Sequence, residues 1–383
     1  VATDGGFENV LTRPSAFAPP AEETRWLDVV RDLAVGFAER APGHDADSSL
    51  PLENLQALNT AGFDVAVLPA PYGAGLSFRT IGAALVEIAA ACPATAALWL
   101  MHAGAAHGLV SLSPPAAARF YADELAAGAR FANALSEPSS GNLFLTPQQS
   151  AEPVEGGWRL DGAKRFISGC EVADHFLTNV LVDGAPTFFG VAKDDTISFA
   201  GVWDAMGMRA TRSQLVSFAG TLLRAEFRCD APAPTSTNLI SAGLPFLSLG
   251  IARAAVDAAA AHARGRFLPG VGDVLASLQW VKFEMAELHV ALRGAFLMAE
   301  QVMWLADAAD PEAMPAAVEA KLAANEVAKK AAALGVKIGG ATGYLATSPI
   351  QRHFRDAQAG ALMAYSVEVC SDLVGTWALE GSR

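Results

Sequence analysis

Cysteine is scarce in this chain. Its four copies, Cys92, Cys170, Cys229 and Cys370, are widely separated and form no CxxC pair, so neither a zinc site nor a disulfide framework is indicated, and a reducing cytoplasm is the expected setting. Positive charge is also short. Only 27 Lys and Arg stand against 40 Asp and Glu, a formal net charge of −13, which excludes a nonspecific grip on nucleic acid or anionic lipid. No uninterrupted apolar run is long enough to read as a membrane span; Leu247 to Ala263 comes closest but is broken by Arg253, Asp257 and His262. The segment Val1 to Trp26 contains Pro14, Pro19 and Pro20 and no apolar block of signal-peptide length. His102 and His107 stand five apart, a spacing that does not bring both to one helical face, and no metal site is expected.

What the chain has is apolar surface. It is 383 residues long, 52% apolar and 17% charged, too long for one core, and it predicts two or three packed subdomains with buried subunit interfaces. From Glu22 to about Gly128 the apolar residues recur at helical spacing (Trp26, Val29, Val30, Leu33, Phe37, then Ile81 to Leu100), interrupted by the turn-rich stretch from Pro69 to Gly75. Near Phe131 the texture changes to short strands. Trp158 and Leu160 alternate before Asp161-Gly162, which predicts a tight hairpin turn, and Phe176 to Val182, Thr187 to Val191 and Leu215 to Leu223 read as β-segments. Beyond Pro232 and Pro234 four long helices are expected, roughly over 239–264, 274–307, 312–336 and 350–378. The predicted fold is a multidomain α+β chain: an N-terminal helical domain over 1–128, a β-domain over 129–232 and a C-terminal four-helix bundle over 233–383.

Several motifs fall in order along this frame. Leu68-Pro-x-x-Tyr72-Gly-x-Gly-Leu-Ser77 closes the break in the first block. The β-domain opens on Phe131-Ala-Asn-Ala-Leu135-Ser136-Glu137-Pro138, followed by small residues to Asn142, and continues through Leu160-Asp-Gly-Ala-Lys164-Arg-Phe166-Ile-Ser168-Gly and Met206-Gly207-Met208-Arg209-Ala-Thr-Arg-Ser213. The bundle adds Gln279 ahead of Ala286-Glu287-Leu288, then Gly339-Gly340-Ala-Thr-Gly343-Tyr344 and Arg355-Asp356. Each alone is a common turn or strand. Together, from residue 68 to Asp356, they resemble the acyl-CoA dehydrogenases.

That resemblance implies a noncovalent FAD held between the subunits of a dimer or tetramer. It puts Leu135, Ser136, Phe166 and Ser168 at the flavin ring and the glycines Gly339 and Gly340 of a neighbouring subunit along the pyrophosphate, where bare backbone can approach phosphate. Asn142, where the family has a Ser, Arg266, Gln279 and Ser366 complete the implied cofactor contacts, although Arg266 stands further from Gln279 than the family's pattern has it. The implied activity is an FAD-dependent oxidoreductase acting on an acyl thioester or a related small molecule.

One departure bears on the chemistry. About eight residues after Arg-Asp the dehydrogenases carry a glutamate that removes the substrate's α-proton, followed by Gly-Thr; here the stretch reads Met363-Ala364-Tyr365-Ser366. Ala364 cannot accept a proton. The alternative position at the start of the first bundle helix, Asn238-Leu-Ile240-Ser, offers no carboxylate either. Three readings follow: an oxidoreductase that takes its base from elsewhere, with His102, Glu368 and His353 as candidates; a flavin monooxygenase of the same fold, which needs no such base; and a flavin-binding or interaction subunit without catalysis of its own.

Overall fold

The computed structural model describes residues 16–139 and 143–381. Its first block is helical: α1 (Thr24–Asp47), α2 (Leu52–Thr60), α3 (Phe63–Ala66), α4 (Phe78–Ala91), α5 (Pro93–Leu112) and α6 (Pro115–Ala126). The expected break over residues 69–75 is a run of turns, and Ser77 then starts α4 by accepting a hydrogen bond from the Thr80 amide. Pro93 and Pro115 open α5 and α6 at positions whose N–H groups have no helical acceptor.

The chain turns to strands at β1 (Phe131–Ala134) and continues through β2 (Glu152–Val154), β3 (Gly157–Ile167), β4 (His175–Val182), β5 (Ala185–Ala192), β6 (Ile197–Phe199) and β7 (Gln214–Arg224). They form two sheets. One has the order β1-β4-β5, with β1 parallel to β4, and the other is the antiparallel β2-β3-β7-β6. Phe176, Phe189, Leu160, Val216 and Phe218 fill the space between them. Asp161-Gly162 is not the hairpin turn its dipeptide suggests. β3 runs straight through it, with a register shift between Leu160 and Gly162 and the Gly220 amide donating to Asp161 at 2.7 Å; the hairpin turn lies earlier, between β2 and β3. Asp-Gly also suits a bulge, and pairing with β7 decides between the two.

The C-terminal part consists of α7 (Leu239–Gly265), the small hairpin β8 (Phe267–Leu268) and β9 (Asp273–Val274), α8 (Gln279–Asp307), α9 (Ala313–Tyr344), α10 (Pro349–Ala357) and α11 (Val367–Glu380). α7 is apolar and long enough to cross a membrane, but 89% of its most apolar window is buried among other helices of the chain. The helix expected over 350–378 is instead two, α10 and α11, joined by a bent segment. Gly360 sits so close to α7 and α9 that a Cβ would lie 2.5 Å from both Asn325 and Ser248, Ala364 has φ of 55°, and Ser366 starts α11 as its N-cap. A continuous helix cannot contain these features. Its bend carries the residues that face the main cavity.

Candidate functional site

The two sheets, α5, the start of α7, the end of α10 and the bent segment before α11 meet around a cavity of about 270 Å³. Ser136 reaches it from the end of β1, where the following Glu137 is locked by a fully buried ion pair. Lys164 Nζ donates to Glu137 Oε1 at 2.7 Å, to the Asn179 carbonyl at 2.6 Å and to Asn179 Oδ1 at 3.0 Å, so all three ammonium protons have acceptors. Burial pulls the Lys164 pKa down and Glu137 acts against it. The Ser-Glu-Pro segment is therefore fixed from below before any ligand arrives.

β3 ends at the cavity with Phe166 in a left-handed conformation, φ 59°, and its side chain 57% exposed. A non-glycine residue held there costs free energy, and such strain clusters at ligand sites. Ser168 follows. Its hydroxyl is 2.8 Å from that of Ser213, which is 2.8 Å from that of Thr211, and Thr211 in turn donates to the Met208 carbonyl at 2.9 Å. Two polar atoms on the same wall, Asn133 Oδ1 and Trp203 Nε1, are buried without a partner among the described residues. Orphaned buried acceptors and donors are expensive, and these two together with the hydroxyl chain suit a planar ligand with both donors and acceptors on its edge. A flavin ring is such a ligand.

Beneath the cavity three distant segments are pinned together. The Met208 amide donates to Asp356 Oδ1 at 2.7 Å, Arg355 donates to the Met206 carbonyl at 2.8 Å and to Asp45 Oδ1 at 3.0 Å, and Arg209 Nε donates to the Asp45 carbonyl at 2.8 Å. Gly207 is required at this crossing, because a Cβ would lie 2.3 Å from the Arg355 carbonyl oxygen. Burial of Asp356 pushes its pKa up to about 6; the Met208 amide and the nearby Arg352 and Arg355 act against this, and Asp45 adds to it.

The family model for the acyl-CoA dehydrogenase C-terminal domain matches residues 242–378. Over 370 residues the chain is 27% identical to the 3-sulfinopropanoyl-CoA desulfinase of Paraburkholderia xenovorans, covering 90% of this chain and 94% of that one. Its fold superposes on butyryl-CoA dehydrogenase from Megasphaera elsdenii with a TM-score of 0.88 at 20% identity, over 95% of this chain and all of the other. Residues 242–378 thus carry the C-terminal domain of the acyl-CoA dehydrogenases, and the likeness to members of that superfamily runs over nearly the whole chain. A second superfamily fold, the dibenzothiophene monooxygenase TdsC from Paenibacillus sp. A11-2 in its FMN-bound form, superposes with a TM-score of 0.83 at 23% identity, over 93% of this chain and 98% of that one.

Of the positions that the resemblance implied, the structure brings Ser136, Phe166, Ser168 and Ala364 to one cavity. Leu135 is buried in the hydrophobic cluster that also holds Phe131 and Phe144, and it does not line the cavity. Asn142 lies outside the described residues. Arg266 and Gln279 are exposed at the end of α7 and the start of α8, Gly339 is buried against Ile350, and Gly340 interrupts α9 with φ 51° and ψ −143° at the surface. None of these four lines the chain's own cavity. Ser366 is spent on capping α11.

The three candidate bases also stand elsewhere. His102 Nδ1 accepts the Phe131 amide at 2.9 Å and its Nε2 lies 3.3 Å from Asp64, which also holds Trp99 and Arg130, so the imidazole ties α5 to β1. His353 is 4% exposed on α10, and burial drives its pKa down to about 3, with Arg352 adding to the shift. Glu368 is exposed in the first turn of α11, its pKa lowered by its own backbone amide and by Ser366. Sequence reasoning missed Met101, Asn133, Phe144, Trp203 and Ile240 as cavity walls. Asn133 alone was within reach, two residues before Leu135 in a quoted motif and on the alternating face of β1.

Proposed function

We propose that this chain is an FAD-dependent oxidoreductase acting on an acyl thioester, by chemistry that does not start with proton abstraction by a carboxylate. The observation that carries this reading is the composition of the cavity wall: among the described residues that line it, Arg355 is the one charged side chain and no Asp, Glu or His is present. A bound flavin supplies two-electron redox chemistry. The chain's own contribution would be orientation: Ser136, Ser168, Asn133 and Trp203 would hold the flavin by hydrogen bonds, Phe166 would pack against it, and the apolar Met101, Phe144, Ile240 and Leu362 would keep water from the site. The desulfinase relative supports a thioester substrate, since its name describes loss of a sulfinate from a CoA thioester rather than desaturation.

The same acid-free wall favours a second reading, a flavin monooxygenase, to which the fold shared with TdsC lends support. In either case the active form is a homo-oligomer, because Arg266, Gln279 and the Gly339-Gly340 bend lie outside the chain's own cavity, where a neighbouring copy can use them.

Anaerobic mixing of the yellow protein with saturated acyl-CoAs decides the matter. Flavin bleaching is expected to be very slow in the wild type and at least about tenfold faster in Ala364→Glu, the low side of what a positioned base contributes. Ala364→Glu keeps the left-handed backbone demand unchanged, since both residues carry a Cβ. Rapid bleaching of the wild type would reveal a base elsewhere and restore ordinary desaturation. Oxygenated product from chemically reduced flavin in air would favour the monooxygenase, and a colourless protein that takes up no FAD would overturn both.

A further inference from the structure

The chain buries two lysines, and they are treated differently. Lys164 has acceptors for all three of its protons. Lys321, on α9 and 5% exposed, has one: its Nζ donates to the Gly360 carbonyl at 2.9 Å, an oxygen that also accepts the Asn325 amide at 3.1 Å. Two ammonium protons are left over among the described residues. A buried ammonium without a counterion is costly, and burial accordingly pulls its pKa down to about 8, with Cys370 and Glu368 acting against the shift.

The place where Lys321 sits explains what the spare protons are for. It lines a small cleft of about 30 Å³ together with Ser241 and Leu244 of α7, Tyr365 and Cys370, and among the described residues the walls of that cleft contain no carboxylate. Phe144 and Ala364 are walls of both this cleft and the large cavity. With only a methyl group at 364 the partition between the two is thin, and the volume beyond it suits one small polar group and not an extended chain.

We propose that Lys321, with the Ser241 hydroxyl beside it, forms a subsite for the anionic end of an acyl chain, so that the thioesters taken by this protein carry an oxyacid group such as a carboxylate or sulfinate at the end remote from the thioester. This rests on the thioester reading above. The acyl chain lies in the large cavity, passes Ala364 and Phe144, and places its negative group against the ammonium, where charge-assisted hydrogen bonds in a dry cleft are strongest.

The test is a comparison of affinities in the flavin-loaded protein, read by calorimetry and by perturbation of the flavin spectrum without turnover. Butanoyl-CoA is set against succinyl-CoA and 3-sulfinopropanoyl-CoA, which differ from it mainly in the terminal group. The anionic thioesters are expected to bind at least about tenfold more tightly, as one charge-assisted hydrogen bond allows, and the stronger of the two identifies the oxyacid. Lys321→Met is expected to bring the ratio close to one. In the wild type the ratio should also fall as pH rises through about 8, an arm that needs no variant and stands if Lys321→Met fails to fold; Glu368, Tyr365 and Cys370 are the other titrating groups near the ammonium, and Glu368 is already ionised in that range. Equal affinity of all three thioesters for the wild type overturns the subsite while leaving the thioester reading intact. Binding of none of them overturns the thioester reading and the subsite with it.

Discussion

Asp356 is a carboxylate that the fold holds at an energetic cost for the sake of one hydrogen bond. It is 4% exposed, its Oδ1 accepts the Met208 amide, and burial raises its pKa from 3.8 to about 6. Because the folded value lies above the unfolded one, the protonated form is favoured in the native state: the full contribution is present below pH 4 and is lost as pH rises through 6. Asp356→Asn keeps an oxygen for Met208 and removes the charge. Relative to wild type it is expected to gain stability between pH 4 and pH 7, by about 2–3 kcal/mol for a shift of this size, as read from denaturant unfolding at the two pH values. A difference that does not change with pH would mean that Asp356 is ionised without penalty. The Arg-Asp pair was visible in the sequence as a motif, but its role was not. Trp203 was harder still, since what distinguishes it is a buried polar atom left without a partner among the described residues, and that exists only once three parts of the chain have closed around the cavity.

At the scale of elements, the loop from Met206 to Arg209 and α10 touch backbone to backbone. Gly207→Ala would bring a Cβ to within 2.3 Å of the Arg355 carbonyl and 2.9 Å of the Asp356 amide, neither of which can rotate away. The loop must lift, stretching the Met208 to Asp356 hydrogen bond and moving Thr211 and Ser213, which follow on the same segment. The expected result is a loss of about 1–3 kcal/mol, typical of overpacking, accompanied by weaker flavin retention; unchanged melting and unchanged flavin content would show that the crossing is not tight. Periodicity located the helices and central strands well, because apolar spacing reports which face is buried. It misplaced the hairpin turn at Asp161-Gly162 and joined α10 to α11, both for the same reason. Bulges and bends are set by what an element packs against: β7 for the first, and Asn325 and Ser248 beneath Gly360 for the second.

The whole molecule leaves one helix face unfinished. α8 buries Leu288, Leu292, Ala295, Phe296, Ala299, Val302 and Met303 inward, yet its outer side carries Phe283, Val290, Leu297 and Trp304 at intervals of seven, exposed by 65%, 72%, 37% and 43%. Residues spaced by seven stay on one side of a helix over this length, so these four form an apolar stripe of the kind that marks an association surface. Gln279 begins the same helix one turn before Phe283, and Arg266 precedes it across the β8-β9 hairpin, both exposed and both away from the chain's own cavity. The homo-oligomer proposed above would use stripe and polar residues together, a second copy covering the apolar face and reaching the neighbour's cofactor site as it does so. Gly340→Asp would be an ambiguous probe of that arrangement, because φ 51° with ψ −143° strains any residue with a side chain. The double variant Phe283→Glu, Val290→Glu is cleaner: both side chains already face water in the single chain, so folding should be little affected, while two carboxylates in a buried interface oppose association. Light scattering is expected to give a dimer or larger assembly for the wild type and a smaller species for the variant, with flavin content falling in step. A wild type that is monomeric yet carries one flavin per chain would show that each subunit holds its cofactor alone.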